Sequence, residues 1–302
     1  MAKYASIDIG SNTLLLLITD DASGTLTAIV DECDFGRLGQ GLAHAKTLHP
    51  DAIARSLEVV RRYRTLMDEH ELGGVACVGT QALREALNRD AFVGPAEEIL
   101  GCPIEIIAGE REAELVATAV ITDFPERCES ELLCVDVGGA STEFIRIRGG
   151  KQVSVVSLPI GAVRLSEAFL ASDPPAEVET KNLYEAISAQ LATLDLPAGA
   201  QLVGSAGTAT SIASIALALE HYDPEKIHGH EMSRAEVAEV AQTLLRTTVA
   251  EKKALAGLAP KRADVIAGGA AIYDRVMQVL GATTMVISDR GVRWGLAYEL
   301  AR

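Results

Sequence analysis

Two carboxylates bracket a run of glycines and hydroxyls in Asp136-Val-Gly-Gly-Ala-Ser-Thr-Glu143. The apolar run 132–135 leads in as a buried strand, and a second strand begins at Phe144. A turn of this kind presents bare backbone N–H groups and short donors to an anion, and such nests hold phosphate oxygens. The flanking Asp136 and Glu143 suit a hard divalent cation, which phosphate chemistry commonly needs. Any tight hairpin can look like this, so the weight comes from a second copy. Residues 4–18 repeat the pattern, with Asp8-Ile-Gly10-Ser11-Asn12-Thr13 between two apolar strands. The two aspartates are 136 − 8 = 128 positions apart, about the length of one domain. That spacing predicts a duplicated α/β unit with two phosphate-type hairpins and a cleft between the copies.

Four further stretches carry reactive side chains at the junction of a strand and a helix. Thr80-Gln-Ala-Leu-Arg84-Glu-Ala places an arginine where its planar fork could clamp a phosphate, or where it could equally be a solvated surface residue. Gly109-Glu110-Arg111-Glu112-Ala-Glu114 crowds carboxylates into a helix start. The macrodipole alone explains acidic residues there, while a functional glutamate would be a general base for attacking water. Gly204-Ser-Ala-Gly207-Thr208-Ala-Thr has the form of a phosphate seat at a helix N-terminus, and also of an ordinary turn. Ser288-Asp-Arg290-Gly-Val-Arg293-Trp294 also joins a strand to a helix and adds two arginines, which could simply face solvent, and a tryptophan expected to pack. His228-Gly-His230 is read as an incidental pair in a polar loop rather than a metal site.

Composition bounds these readings. At 302 residues the prior is about two domains, and 48% hydrophobic content is ample for their cores. A formal charge of −15 argues against a nucleic-acid-binding surface. A small polyanion remains compatible, provided it meets a local cluster of arginines, lysines and backbone dipoles. The five cysteines include no C-x-x-C pair and read as thiols in a reducing cytosol. No signal peptide is recognisable, and the longest apolar runs (14–18 and 212–219) are too short to span a membrane. The protein is expected to be soluble and cytoplasmic.

Positioning these residues requires a particular order of elements. Strands are expected over 3–9, 14–19 and 26–31, with a turn at 20–24, followed by a glycine-rich loop (35–49) that contains Arg37. Pro50 opens a helix whose stripe is Ile53, Leu57, Val60 and Met67. A strand at 75–78, a helix opening at 81–86, a strand at 104–107 and a helix at 110–120 complete a first βββ-α-β-α-β-α half. The second half begins with strands at 132–137, 142–148 and 152–157. Helices at 161–170 and 177–193, a strand at 201–204 and a helix from Thr208 follow. Helices near 233–246 and 262–279, a strand at 284–287 and a helix at 291–301 close it. Alternating strands and helices predict mixed, mostly parallel sheets covered on both faces, with ligands beyond the strand ends.

Taken together, these motifs resemble the exopolyphosphatase/guanosine-pentaphosphate phosphohydrolase (Ppx/GppA) family. The resemblance rests on the stretches starting at Asp8, Thr80, Gly109, Asp136, Ser157 (Ser-Leu-Pro-Ile-Gly-Ala-Val-Arg-Leu), Gly204 and Ser288, in family order over essentially the whole chain. It implies an α/β, duplicated ribonuclease-H-like fold of the actin/sugar kinase/Hsp70 type, with two domains and an interdomain cleft. Domain I is expected at 1–117 plus 289–302 and domain II at 118–288, with hinge motion closing the cleft. By the same resemblance, Glu112 is the base that activates water and Arg84 holds the terminal phosphoryl group. Asp136 and Glu143 position Mg2+, with Mn2+ as a possible substitute, and Asp8 is a further metal candidate. Gly10, Ser11, Asn12 and Thr13 cradle successive phosphates, together with Gly138, Gly139, Ala140, Ser141 and Thr142, and with Gly207 and Thr208. The implied partners are polyphosphate or guanosine pentaphosphate as substrate, with no nucleic acid and no membrane, and a homodimer. The chain departs from the family at Leu15, where relatives often carry a basic residue, and at Ala140, which replaces a glycine. It also resembles the short form, without the C-terminal helical region of longer members. On the residues alone, hydrolysis of polyphosphate, hydrolysis of guanosine pentaphosphate, an ATP-dependent small-molecule kinase and a non-catalytic phosphate or nucleotide sensor all stay open.

Overall fold

The computed structural model describes residues 2–22 and 25–302. Ser23 and Gly24 of the expected 20–24 turn lie outside the described residues. The chain divides into two compact units, Met1–Ala119 with Val292–Arg302, and Val120–Gly291.

The first unit opens with strands β1 (Lys3–Ile9), β2 (Leu14–Asp20) and β3 (Thr27–Asp34). A short helix α1 (Leu42–Ala45) precedes α2 (Pro50–Asp68) and β4 (Leu72–Gly79). Then come α3 (Gln81–Glu85), α4 (Asp90–Leu100), β5 (Ile104–Ile106) and α5 (Gly109–Asp123). Its sheet runs β3-β2-β1-β4-β5. The first three strands pair antiparallel in chain order, β1 and β2 through a tight turn, and β4 and β5 are parallel to β1 because helices intervene.

Helix α2 begins where Pro50 supplies a preset φ at the first turn, and His49 Nδ1 accepts from the Asp51 N–H. Its buried stripe is Ala52, Val59, Val60, Tyr63 and Met67, with Ile53 and Leu57 only partly covered. The covered face is therefore rotated from the expected one, and Tyr63 anchors it by donating to the Leu14 carbonyl at 2.7 Å. Helix α4 was not expected from the sequence: Pro95 within it disguises a helix whose Phe92, Ala96 and Leu100 are all buried.

The second unit repeats this plan with β6 (Leu132–Val137), β7 (Thr142–Arg148) and β8 (Lys151–Leu158). Helices α6 (Ala162–Phe169) and α7 (Glu177–Leu191) lead to β9 (Gln201–Ser205) and α8 (Ala206–Ala216). Next are α9 (Pro224–Ile227), β10 (Glu231–Ser233), α10 (Arg234–Arg246) and α11 (Val249–Lys252). Helix α12 (Ile266–Leu280) and β11 (Thr284–Ile287) close the unit, and α13 (Val292–Leu300) returns the chain to the first. The sheet order is β8-β7-β6-β9-β11-β10. Its first five strands match β3-β2-β1-β4-β5 strand for strand, and β10 is an antiparallel addition.

Both sheets are thus of the duplicated ribonuclease-H-like type. They are mixed but not mostly parallel, because each begins with a three-stranded antiparallel meander. Trp294 is buried with Leu17, Leu26, Ala119 and Ala297, so it packs as expected. No helix among the described residues is long and apolar enough to cross a membrane.

Candidate active site

In the first unit, β1 and β2 meet at Gly10–Thr13. The Gly10 N–H donates to the Thr13 carbonyl at 2.9 Å, and an added Cβ on Gly10 would sit 3.1 Å from that oxygen. Asp8 lies near the end of β1, paired across the hairpin with Leu15. Its Oδ1 is buried and accepts no hydrogen bond. Burial, together with the negative charge of Glu112, pushes the Asp8 carboxyl up to about 7, against the pull of Arg293.

Glu112 and Arg84 are brought together from two elements 28 residues apart. Arg84 Nη1 donates to Glu112 Oε2 at 2.9 Å and to the Ile107 carbonyl at 2.7 Å. Their side chains are 24% and 17% exposed, so Arg84 is not the surface arginine its position allowed. Burial raises the Glu112 carboxyl above the usual carboxylate range, and Arg84 holds it partly back. The helix phase separates the carboxylates at the start of α5: Glu110 and Glu114 are exposed, and Glu112 between them turns inward.

The second unit repeats the hairpin with the Gly138 N–H donating to the Ser141 carbonyl at 3.0 Å. Asp136 and Glu143 are direct partners in the β6–β7 ladder, so their side chains leave the same face of the sheet. Glu143 is buried, and its Oε1 accepts from the Ser157 hydroxyl at 2.7 Å. The Thr142 and Thr208 hydroxyls donate to the carbonyls of Ile160 (2.5 Å) and Val137 (3.0 Å), which locks the turn to its surroundings. Gly139 and Ala140 are covered from below by Gly161, whose added Cβ would lie 2.6 Å from their backbone atoms. Gly207 opens α8, and a methyl group there would overlap the guanidinium of Arg262. Sequence reading passed over Arg262, whose only signal is the Lys261-Arg262 pair before α12. It also passed over Ser205, whose buried hydroxyl at the start of α8 has no partner.

The two late arginines do not simply face solvent. Arg290 Nη1 donates to Asp123 Oδ1 at 2.6 Å, and Arg293 makes a bidentate pair with Asp31 at 2.9 and 3.0 Å. His228 stacks on Phe124 with ring centroids 4.9 Å apart, and its Nδ1 accepts from the Asp289 N–H at 3.3 Å. The five thiols are free.

Paired hairpins carrying aspartate and glycine on a duplicated ribonuclease-H-like fold define a class of phosphate-handling proteins. Within that class the chain belongs to the Ppx/GppA phosphatase family, whose family model matches residues 17–302. It is 34% identical to exopolyphosphatase 2 of Mycobacterium tuberculosis, over 100% of this chain and 99% of that protein. Among solved structures, the Aquifex aeolicus Ppx/GppA family member superposes with a TM-score of 0.85 at 31% identity, covering 99% of this chain and 97% of that one. An exopolyphosphatase from Cytophaga hutchinsonii gives 0.91 at 27% identity, covering 99% and 98%.

Proposed function

We propose that the protein is an exopolyphosphatase that hydrolyses the terminal phosphoanhydride bond of inorganic polyphosphate. The observation that carries this reading is the half-buried Arg84–Glu112 pair at 2.9 Å, at a helix start where the neighbouring Glu110 and Glu114 face solvent. Full-length similarity to a protein named exopolyphosphatase supports polyphosphate as the substrate.

In this reading Glu112 accepts the proton of a water whose oxygen forms the new bond to the terminal phosphorus. The bridging P–O bond breaks, and the shortened chain leaves as the anion. Arg84 holds the terminal phosphoryl oxygens and, by its contact with Ile107, keeps its fork aimed while charge develops. Burial makes Glu112 a stronger base than an exposed carboxylate, with Arg84 opposing part of that shift. Gly10–Thr13 and Gly138–Thr142 offer backbone donors to successive phosphates, with Gly207 and Thr208 as a third seat.

The residues fit a divalent cation, Mg2+ first and Mn2+ as a substitute. Asp136 and Glu143 form an all-oxygen pair on one sheet face, and the buried Oδ1 of Asp8 has no hydrogen-bond partner. No group of three or more His, Cys, Asp or Glu side chains able to hold a metal occurs among the described residues. Mg2+ commonly takes one or two carboxylates and completes its shell with water and substrate phosphates. When bound, the cation neutralises phosphate charge and orients the attacked group. A homodimer in a cytoplasmic setting completes the proposal, and sedimentation of the purified protein reads the oligomeric state.

Purified protein with Mg2+ is expected to release orthophosphate from polyphosphate, and Glu112→Gln to lower the rate by roughly 10²–10⁴ at unchanged thermal stability. Wild-type turnover in that variant would refute the assignment of the base. Parallel assays with guanosine pentaphosphate, and with ATP plus an acceptor, separate this reading from the nucleotide hydrolase and the kinase.

A further inference from the structure

Near the ends of its central strands, the sheet of the second unit carries four polar residues in one transverse row. Asp136 of β6 is paired with Glu143 of β7 on one side and with Ser205 of β9 on the other, and Glu143 is paired in turn with Ser157 of β8. Direct partners on neighbouring strands send their side chains to the same face, so Ser205, Asp136, Glu143 and Ser157 share one surface in that order. Each carboxylate therefore has a serine on its outer flank. Ser157 donates its hydroxyl to Glu143 Oε1 at 2.7 Å. Ser205 is fully buried, and its hydroxyl neither donates nor accepts a hydrogen bond.

The common reasons for a serine at such a place do not apply. Ser205 is the N-cap of α8, where a serine oxygen ordinarily accepts from an N–H of the first turn, yet it makes no such bond. Ala206, the first residue of that helix, has φ 65°, so the chain enters α8 by a left-handed step. Filling space needs no oxygen either: alanine would leave no buried polar atom unmet, and an unmet hydroxyl is a net cost. The serine is nevertheless held firmly beside Asp136. Tyr273 Oη lies 2.9 Å from the Val135 carbonyl and 2.7 Å from the Ser205 carbonyl, bridging β6 and β9 next to the row. Gly291 passes close by, where a Cβ would lie 3.6 Å from the Ser205 hydroxyl, and as a glycine it brings no polar side chain to meet it. A donor fixed beside a carboxylate and left without an acceptor is accounted for if the carboxylate turns to it once a cation has engaged its other oxygen. Carboxylates that ligate metals are themselves hydrogen-bonded by outer groups, which fix their orientation.

We propose that Ser205 is a positioning residue of the cation site: in the cation-bound protein its hydroxyl donates to the Asp136 carboxylate, as Ser157 donates to Glu143. The inference rests on the proposed reading of Asp136 and Glu143 as cation ligands and adds an outer donor to that pair. Ser205 touches neither cation nor substrate, and it acts on cation affinity through Asp136.

The test titrates Mn2+, without substrate, into the unaltered protein and into Ser205→Ala, Ser205→Thr and Asp136→Asn, and reads unbound Mn2+ from its electron paramagnetic resonance signal. The unaltered protein is expected to bind Mn2+ and Asp136→Asn to lose that binding. Ser205→Ala should bind about tenfold more weakly, and Ser205→Thr, which keeps the donor, should stay near the unaltered value. Melted in chelator, Ser205→Ala should be as stable as the unaltered protein or more so, because an unmet hydroxyl has been removed. A capping or packing role would instead lower that metal-free melting temperature, and such a result overturns the inference. Unchanged Mn2+ affinity in Ser205→Ala, while Asp136→Asn loses binding, overturns it as well. Weaker tripolyphosphate binding in Ser205→Ala at unchanged Mn2+ affinity would place the serine on phosphate and likewise overturn it. Absence of Mn2+ binding in the unaltered protein, or equal binding in Asp136→Asn, overturns the cation reading of Asp136 and the role of Ser205 with it.

Discussion

Asp8, proposed above as a metal ligand, carries a charge that its burial opposes. With its pKa pushed up to about 7 by burial and by Glu112, the folded protein prefers Asp8 protonated. The favourable contribution is therefore full below the ordinary carboxylate range and is lost as pH rises through 7. At pH 7.5 without metal, Asp8→Asn is expected to raise the melting temperature by about 2 °C or more, and with Mg2+ to reduce phosphate release. A variant neither more stable nor less active would remove Asp8 from the site. His228 has the opposite sign. Burial, helped by Arg290 and opposed by Asp123, lowers its pKa, so the folded protein resists protonating it. Its contribution is full above pH 6.5 and falls as pH drops below that value, through the lowered folded pKa. Urea midpoints at pH 7.5 and 5.5 should therefore differ less in His228→Asn than in the unaltered protein. At this scale the sequence names residue types but not partners. Glu110, Glu112 and Glu114 look alike in the chain, and only Arg84, reaching in from α3, singles out Glu112. Asp31, the partner of Arg293, lies 262 residues away, which is why a solvent-facing Arg293 stayed open in the sequence.

The elements that hold these residues were more legible, because their signals are local. The hairpins at 9–14 and 137–142 announce themselves by glycine and hydroxyl content between apolar runs, and both are closed by the same N–H to carbonyl bond. Helix α4 was illegible because Pro95 reads as a breaker, yet it lies in a helix held by the burial of Phe92, Ala96 and Leu100. The proportion of parallel pairing was overestimated because tight turns following β1 and β6 force antiparallel meanders. Helix α6 illustrates how an element serves the site without contributing a reacting group. Its first N–H groups donate to Gly138 and Gly139, and Gly161 lets its start approach Gly139 and Ala140. Gly161→Ala places a methyl 2.6 Å from that backbone, closer than real contacts allow. The expected cost is about 1–3 kcal/mol, by analogy with overpacked cores. Phosphate release should fall further than in a surface variant of equal instability, because the displaced atoms are those proposed to cradle phosphate. Thermal melting and kcat measured on the same preparation check both parts.

At the scale of the whole molecule, the duplication was readable from the 136 − 8 = 128 residue spacing of two aspartates, and the strand orders repeat it. The repeats are not equivalent, and their difference assigns work between them. Asp136 faces Glu143 across its hairpin, whereas Asp8 faces Leu15, so the paired carboxylates belong to the second unit. This asymmetry has to be weighed against a formal charge of −15, which repels a polyphosphate chain at every distance a Debye length reaches. Backbone donors and a few arginines act only at contact, so charge neutralisation by a divalent cation should be a condition of binding as well as of chemistry. Ligand linkage makes that measurable without turnover. In Glu112→Gln, tripolyphosphate with Mg2+ at about 100 times its Kd should stabilise the protein by about 2.7 kcal/mol, seen as a rise in melting temperature. The same tripolyphosphate in excess chelator should give little or no rise, and Mg2+ alone only a small one. An equal rise with and without the cation would mean that the arginines and hairpin donors suffice to overcome the field of the whole molecule, and that the carboxylates of the second unit hold no metal needed for binding.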